Sequence, residues 1–209
     1  MTSRTDNIAA VRRVLSTVDR DGQEVRRLTL TRSYSTTSDD LWEALTDADR
    51  IPHWFLPISG DLRPGGRYQL EGNAGGDVLS CDPPRTFSCT WEYDGHVSWV
   101  TVTLTPDGTG TVLELAHDAP SAPDHWDRYG PGAVGIGWEL GRIGLADHLA
   151  TAAAVDPAAF AAWMSSDDGV AFMSACSAAW AEARIAAGDD TEESRAAATR
   201  CTAAYTGQE

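Results

Sequence analysis

Residues 86–117, TFSCTWEYDGHVSWVTVTLTPDGTGTVLELAH, decide the fold. Within 86–93, Phe87, Cys89, Trp91 and Tyr93 alternate with Thr86, Ser88, Thr90 and Glu92, a period of two that sends apolar and polar side chains to opposite faces of a strand. Asp94-Gly95 supplies hairpin turn chemistry ahead of a second run, 97–105, and Pro106-Asp107-Gly108-Thr109 joins that run to a third, 110–117. The second and third runs are apolar on both faces, so the sheet they build is covered on at least one side. Upstream, Pro64-Gly65-Gly66 and the glycine-rich segment 72–76 separate further short runs, which extends the predicted antiparallel meander to roughly 57–118.

Working outward, residues 25–34 read as a first strand. Ser38 is placed to cap a helix whose first turn carries Asp39 and Asp40, matching the positive end of the helix dipole, with Leu41, Trp42 and Leu45 on its apolar side. A second short helix is expected from Asp47 or Asp49 through Ile51, Trp54 and Phe55, with Pro52 tolerated in its first turn. Ahead of these, Ile8, Val11, Leu15 and Val18 stand at helical spacing and Asp21-Gly22 follows as a turn, so a lead-in helix is predicted over 8–18.

Downstream of Pro120 and Pro123, strand formers give way to alanine and the pattern becomes helical. In 134–150, Ile136, Leu140, Ile143 and Ala150 form one stripe and Gly137, Gly141 and Gly144 another. An internal glycine costs about 1 kcal/mol against alanine, so the second stripe wants a reason. The plain one is close approach to a sheet or another helix; the sharper one is room for a ligand. Asp156-Pro157 reads as a cap with proline at the first helical position, opening a helix through Trp163; further helices are expected over about 167–187, closed by Gly188, and from Asp190 to about Tyr205. The organisation expected is a lead-in over 1–24, a main α+β domain over 25–151, and a helical extension over 152–209 that packs on that domain or on a second subunit.

Composition bounds the function. The 209 residues are 42% hydrophobic and 22% charged, which excludes a disordered chain, and no apolar run approaches the ~18 residues of a membrane span. Sixteen basic residues against thirty-one acidic leave a net charge of -15, so no nucleic-acid partner is expected. The first residues lack the apolar stretch of a secretory signal, which makes the cytoplasm the expected location. Cys81, Cys89, Cys176 and Cys201 are scattered and read as reduced thiols. His53, His96, His117, His125 and His148 lack metal-ligand spacing, and segment 72–76 is a turn without the lysine of a phosphate loop; neither metal nor cofactor is expected.

The order strand, two short helices, antiparallel meander and long helix is the plan of the helix-grip fold, and short motifs carry a resemblance within it. The stretch Leu41-Trp42-Glu43-Ala44-Leu45-Thr46-Asp47 with Ile51-Pro52-His53-Trp54-Phe55 is similar to the corresponding stretch of the heat-shock protein 90 ATPase activator homologue family. Gly65-Gly66-Arg67-Tyr68 resembles that family's strand start, and Gly76-Asp77-Val78-Leu79-Ser80-Cys81-Asp82-Pro83-Pro84-Arg85 its next element, followed in order by the 87–91 strand. Together these cover about 25–118, with the helix at Gly137-Trp138 as closing element; the segment after about 151 departs from the core family. The resemblance implies the SRPBCC superfamily, also called START-like or Bet v 1-like: a curved antiparallel sheet, here of about six strands, wrapped around a long C-terminal helix, often with a hydrophobic cavity between. Members bind lipids, hormones or polyketides, act as cyclases, or stimulate a chaperone ATPase, and the fold does not choose among these.

Trp54, Phe55, Tyr68, Trp91, Trp99, Trp126 and Trp138 supply many aromatic faces. Ordinary core packing accounts for any one of them; as a set they suit an apolar pocket with a few orienting polar groups. The candidate ligand-binding residues are Trp54, Phe55, Tyr68, Trp91, Trp99, Trp138 and Gly141, and the expected function is binding of a hydrophobic small molecule. As an alternative, His117, Tyr68, Glu92 or Arg67 supplies acid-base groups for a cyclase-type or hydrolytic reaction, although no triad or nucleophile elbow accompanies them. A co-chaperone role is the further alternative. A homodimer and a protein partner reached through the C-terminal helices are the assemblies considered.

Overall fold

The computed structural model of the chain describes residues 6–120 and 123–208. Its sheet is organised by two Asp-Gly turns of one geometry. Asp21 and Gly22 have φ of +54° and +82°, and Asp94 and Gly95 +48° and +75°, the paired positive values of the type I′ turn whose twist matches that of the flanking strands. The first turn joins β1 (Arg12–Arg20) to β2 (Gln23–Tyr34); the second joins β6 (Thr86–Tyr93) to β7 (His96–Asp107). With β3 (Ile58–Gly60), β4 (Arg67–Leu70), β5 (Gly75–Asp82) and β8 (Gly110–Pro120), they form a curved, unclosed antiparallel sheet of eight strands in the order β1-β2-β8-β7-β6-β5-β4-β3.

The helix expected over 8–18 is a correction. The chain makes one helical turn, α1 (Asp6–Ala9), and then runs as β1. The spacing of Ile8, Val11, Leu15 and Val18 imitates a helix, but the Asp21-Gly22 turn folds the segment back as a hairpin with β2. The pairing raises the strand count to eight, from the six or so expected, together with the three-residue β3.

Of the helices, α2 (Ser38–Thr46) is capped one residue earlier than expected: the Thr37 hydroxyl accepts from the Asp40 backbone N–H at 3.2 Å, while the Ser38 hydroxyl bonds Thr111 at 3.2 Å. The second short helix contracts to a single 3-10 turn, Ile51–His53, containing Pro52. A short α3 (Pro123–Tyr129) precedes the first helix specified by the sequence downstream of Pro120. The long helix α4 spans Gly132–Thr151. In α5 (Pro157–Met164) the Asp156 carboxylate accepts from the N–H of Ala158 at 2.9 Å and Ala159 at 3.2 Å. Ser166 and Asp190 cap α6 (Asp167–Ala186) and α7 (Thr191–Thr206) in the same way.

The chain divides into two compact units, each with its own interior: Met1–Leu28, Ser121–Ile143 and Asp156–Glu209 in one, Thr29–Pro120 and Gly144–Val155 in the other. In the first, Ile136, Ile143, Phe172, Met173, Cys176 and Cys201 form a buried cluster edged by Ile8, Tyr129, Leu140, Phe160 and Trp163. Beside it lies a buried charge with four donors. Glu139 accepts from Arg13 Nε at 2.8 Å and Nη2 at 2.6 Å, from the Trp180 indole N–H at 2.8 Å and from the Cys176 thiol at 3.2 Å. A buried ion pair is tolerated when its remaining hydrogen-bonding capacity is met in this way. Gly135 explains how Trp180 comes so near: a Cβ there would overlap the indole.

In the second unit the interior is one face of the sheet. Val100, Val102, Leu104, Leu113 and Leu115 are buried on it, and α2 covers it with Leu41, Ala44 and Trp42, whose ring meets Phe87 edge-on at 5.9 Å. The C-terminal half of α4 approaches the 3-10 segment so closely at Gly144 that a Cβ would overlap the Trp54 carbonyl oxygen. That is the close-approach reading of the glycine stripe, realised at Gly144.

Candidate functional site

Strand register sorts the candidate residues. Directly paired residues share a face. Tyr68 pairs Gly76 and Trp91 pairs Ser98; Val78 pairs Cys89, Cys89 pairs Val100 and Val100 pairs His117. Tyr68, Trp91, Ser98 and His117 therefore stand on the apolar inner face. The other set is Arg67 with Asp77, Glu92 with Val97, and Trp99 with Thr90 and Asp118. Trp99, Glu92 and Arg67 thus occupy the opposite face, away from Trp91 and His117. The Asp94-Gly95 turn carried this information, because a two-residue loop makes Tyr93 and His96 partners and fixes the parity of both strands.

Inner-face polarity is concentrated at Ser98 and His117, both buried. The Ser98 hydroxyl donates to the Trp91 carbonyl at 3.0 Å and lies 2.8 Å from His117 Nε2. A hydroxyl has one proton; with that proton on the carbonyl, Ser98 accepts from His117 and Nε2 carries the imidazole hydrogen. Burial pushes the His117 pKa down to about 4, partly opposed by Asp118, so the ring is neutral at pH 7. The Trp91 ring lies 6.4 Å from it. Trp91 and Phe87 are half-buried, whereas Tyr68 is buried and donates its hydroxyl to the Thr90 carbonyl at 2.7 Å. Burial holds the Tyr68 phenol protonated far above its ordinary range and lifts the Cys89 thiol to about 11.

The remaining candidates are dispersed. Trp54 and Phe55 stack at 5.3 Å, both half-buried, and the Trp54 indole N–H donates to the Ala44 carbonyl at 2.7 Å. Trp138 and Gly141 lie on α4 in the helical unit, each half-buried. Trp126, also in that unit, has the Arg26 guanidinium over its ring at 4.0 Å and that of Arg184 at 5.4 Å. On the outer sheet face Arg67 bridges Asp77 at 2.8 Å and Glu92; the hydrogen bond from Arg67 holds the Glu92 carboxylate below its ordinary range. Sequence reasoning missed Ser98, which orients His117, and the buried Arg13–Glu139 pair. Neither had a signal short of the folded register.

Among the described residues no helix is long and apolar enough to cross a membrane. No protein of curated function matches the chain. Among solved structures, CalU16 from Micromonospora echinospora is 32% identical: its solution structure covers 86% of this chain and 97% of that one with a TM-score of 0.73, and its crystal structure 83% and 98% with 0.66. Protein MLL2253 from Mesorhizobium loti, 27% identical with a TM-score of 0.53, is matched over 97% of its length but over only 60% of this chain. Segments beyond the shared core thus have counterparts in CalU16 that MLL2253 lacks. The model of the family described as Activator of Hsp90 ATPase homolog 1-like protein matches residues 35–149, the stretch from the start of α2 to the end of α4. On these grounds the chain, with its helix-grip fold, belongs to that family.

Proposed function

We propose that the protein binds an apolar small molecule against the inner face of its sheet, with Trp91 as the aromatic contact and the neutral His117–Ser98 pair as the polar group that orients it. One observation carries this reading: Trp91 keeps accessible surface on a face whose other members are largely buried, beside a desolvated hydrogen-bonding pair. An apolar wall with few, fixed polar groups is the usual composition of a small-molecule site.

Binding is favoured over turnover by the protonation states. Ser98 spends its hydroxyl proton on a backbone carbonyl and accepts from His117, the reverse of the direction needed to activate a nucleophile. A histidine with a pKa pushed to about 4 is a weak base at neutral pH, and Tyr68 is held protonated. Arg67 and Glu92 neutralise each other on the far face.

The test is a thermal-shift and tryptophan-fluorescence screen of lipids, polyketides and polycyclic aromatics. A ligand at a hundredfold excess over its Kd adds about 2.7 kcal/mol to stability, and Trp91→Ala is expected to weaken it at least tenfold. A panel with no stabilising member, or a ligand indifferent to Trp91→Ala, removes the proposal. Turnover lost on His117→Gln in a folded protein would put the cyclase or hydrolase reading in its place; a stable complex with the heat-shock protein 90 chaperone would favour the co-chaperone reading.

A further inference from the structure

In the sheet-bearing unit, His148 near the end of α4 is only 4% exposed. Its Nδ1 lies 3.0 Å from the Ala153 carbonyl oxygen, which can only accept, so Nδ1 carries the hydrogen and Nε2 presents its lone pair. That Nε2 is buried and has no hydrogen-bond partner. The backbone is bent to produce this arrangement: Ala152 has a φ of +57°, uncommon for a residue with a side chain, and the turn it makes returns the Ala153 carbonyl to His148. The Val155 N–H donating to the His53 carbonyl at 2.7 Å fastens the same loop to the 3-10 segment.

An imidazole whose one N–H is fixed by a backbone carbonyl while the other nitrogen is left open is the arrangement metal-bound histidines adopt. A second imidazole lies beside it, edge to face. The His53 ring lies 5.5 Å from that of His148, centroid to centroid, and two imidazoles held at ~2.1 Å by one tetrahedral ion have centroids roughly 5 Å apart. His53 is exposed, which leaves an ion a route in. Asp40 is engaged by the Thr36 hydroxyl at 2.5 Å and by Arg50 at 2.9 Å, contacts that hold its carboxyl below the ordinary range, so it is not a free ligand.

The geometry points to a two-histidine site for one divalent transition-metal ion at His53 and His148, of the kind imidazole nitrogen favours: zinc, copper or nickel. Among the described residues no group of three or more His, Cys, Asp or Glu is placed to hold a metal. The protein therefore supplies two ligands, and the other positions belong to water or to a donor atom of a small molecule.

The test is calorimetric titration of the full, untagged chain with zinc chloride at neutral pH, with magnesium as the negative control. One zinc per chain is expected, with micromolar affinity and no magnesium response. His53→Ala and His148→Gln are each expected to weaken zinc binding at least tenfold, and His125→Ala to leave it unchanged. Zinc is also expected to shift the His148 Nε2 resonance in side-chain nitrogen NMR spectra. Because His148 is buried and its variant can fail to fold, the exposed His53 carries the decision alone: zinc binding absent in the wild type, or undiminished in folded His53→Ala, overturns the site.

Discussion

In the unit built from Thr29–Pro120 and Gly144–Val155, Trp54, Phe55, Trp91 and Trp99 keep accessible surface while Trp42 and Tyr68 are buried; in the other, Trp126, Trp138 and Trp163 are half-buried at its margins, but the central Trp180 and Phe172 have almost no accessible surface. The treatment of buried polar groups differs in parallel. Glu139 is saturated by four donors, and its carboxylate has no role left but to hold β1, α4 and α6 together. His117 and Ser98 form a short chain ending on a backbone carbonyl, in a neutral, desolvated environment beside an unsealed indole. Saturation suits structural load, and partial sealing suits recognition, because surface already fully buried in the free protein has nothing to gain from a ligand.

The largest effect that would break this comparison is at Glu139. Glu139→Ala leaves Arg13 buried without a counter-charge and strips the acceptor from Trp180 and Cys176, for an expected loss of about 3–5 kcal/mol in urea denaturation. Trp91→Ala, at a half-buried site, is expected to cost only about 1–2 kcal/mol, well below the range for a fully buried tryptophan. Equal costs would mean that the sheet interior is packed as solidly as the helical one.

Next in size is a pH effect confined to the sheet unit. His117 titrates near 6.5 when unfolded and near 4 when folded, so between those values the unfolded chain binds a proton that the native one refuses. Stability is complete above pH 6.5 and falls as the pH drops toward 4, by up to ~3 kcal/mol from this group. His117→Gln keeps an N–H for Ser98 and removes the titration. The stability gap between wild type and variant is therefore expected to shift in the variant's favour between pH 6.5 and pH 4, read from urea midpoints across that window. A constant gap would mean that His117 is solvated, and the desolvated half of the comparison would go with it.

How far this was legible in the chain follows from the range of each determinant. Local chemistry read well: the alternation of 86–93 gave β6 its bounds, and Asp156-Pro157 and Asp190 set the starts of α5 and α7. The 8–18 segment failed because its apolar spacing fits a helix while its Asp21-Gly22 ending, the same dipeptide as Asp94-Gly95, belongs to a hairpin; the turn outweighs the spacing. Trp99 could have been separated from Trp91 by hairpin parity alone. No such rule reaches the Arg13–Glu139 pair, 126 residues apart, or the meeting of His53 with His148, because a charge or a ring in a sequence does not name its distant partner.

The smallest effects lie on α4, where one helix carries glycines in both settings. At Gly144 a Cβ would overlap the Trp54 carbonyl oxygen, backbone that cannot step aside, so Gly144→Ala is expected to destabilise by about 1–3 kcal/mol despite alanine's better helix propensity. At exposed Gly137 a Cβ would meet only the Tyr205 hydroxyl, at an ordinary 3.5 Å, so propensity should win there and Gly137→Ala should stabilise by up to ~1 kcal/mol. Thermal midpoints check both signs. Repeating the ligand screen on Gly137→Ala then separates the two reasons for a glycine stripe. A variant more stable and equally responsive to ligand leaves close packing at Gly144 as the stripe's structural purpose, whereas one more stable but unresponsive would mean that the bare surface around Gly137 is space a ligand uses, and would extend recognition into the helical unit.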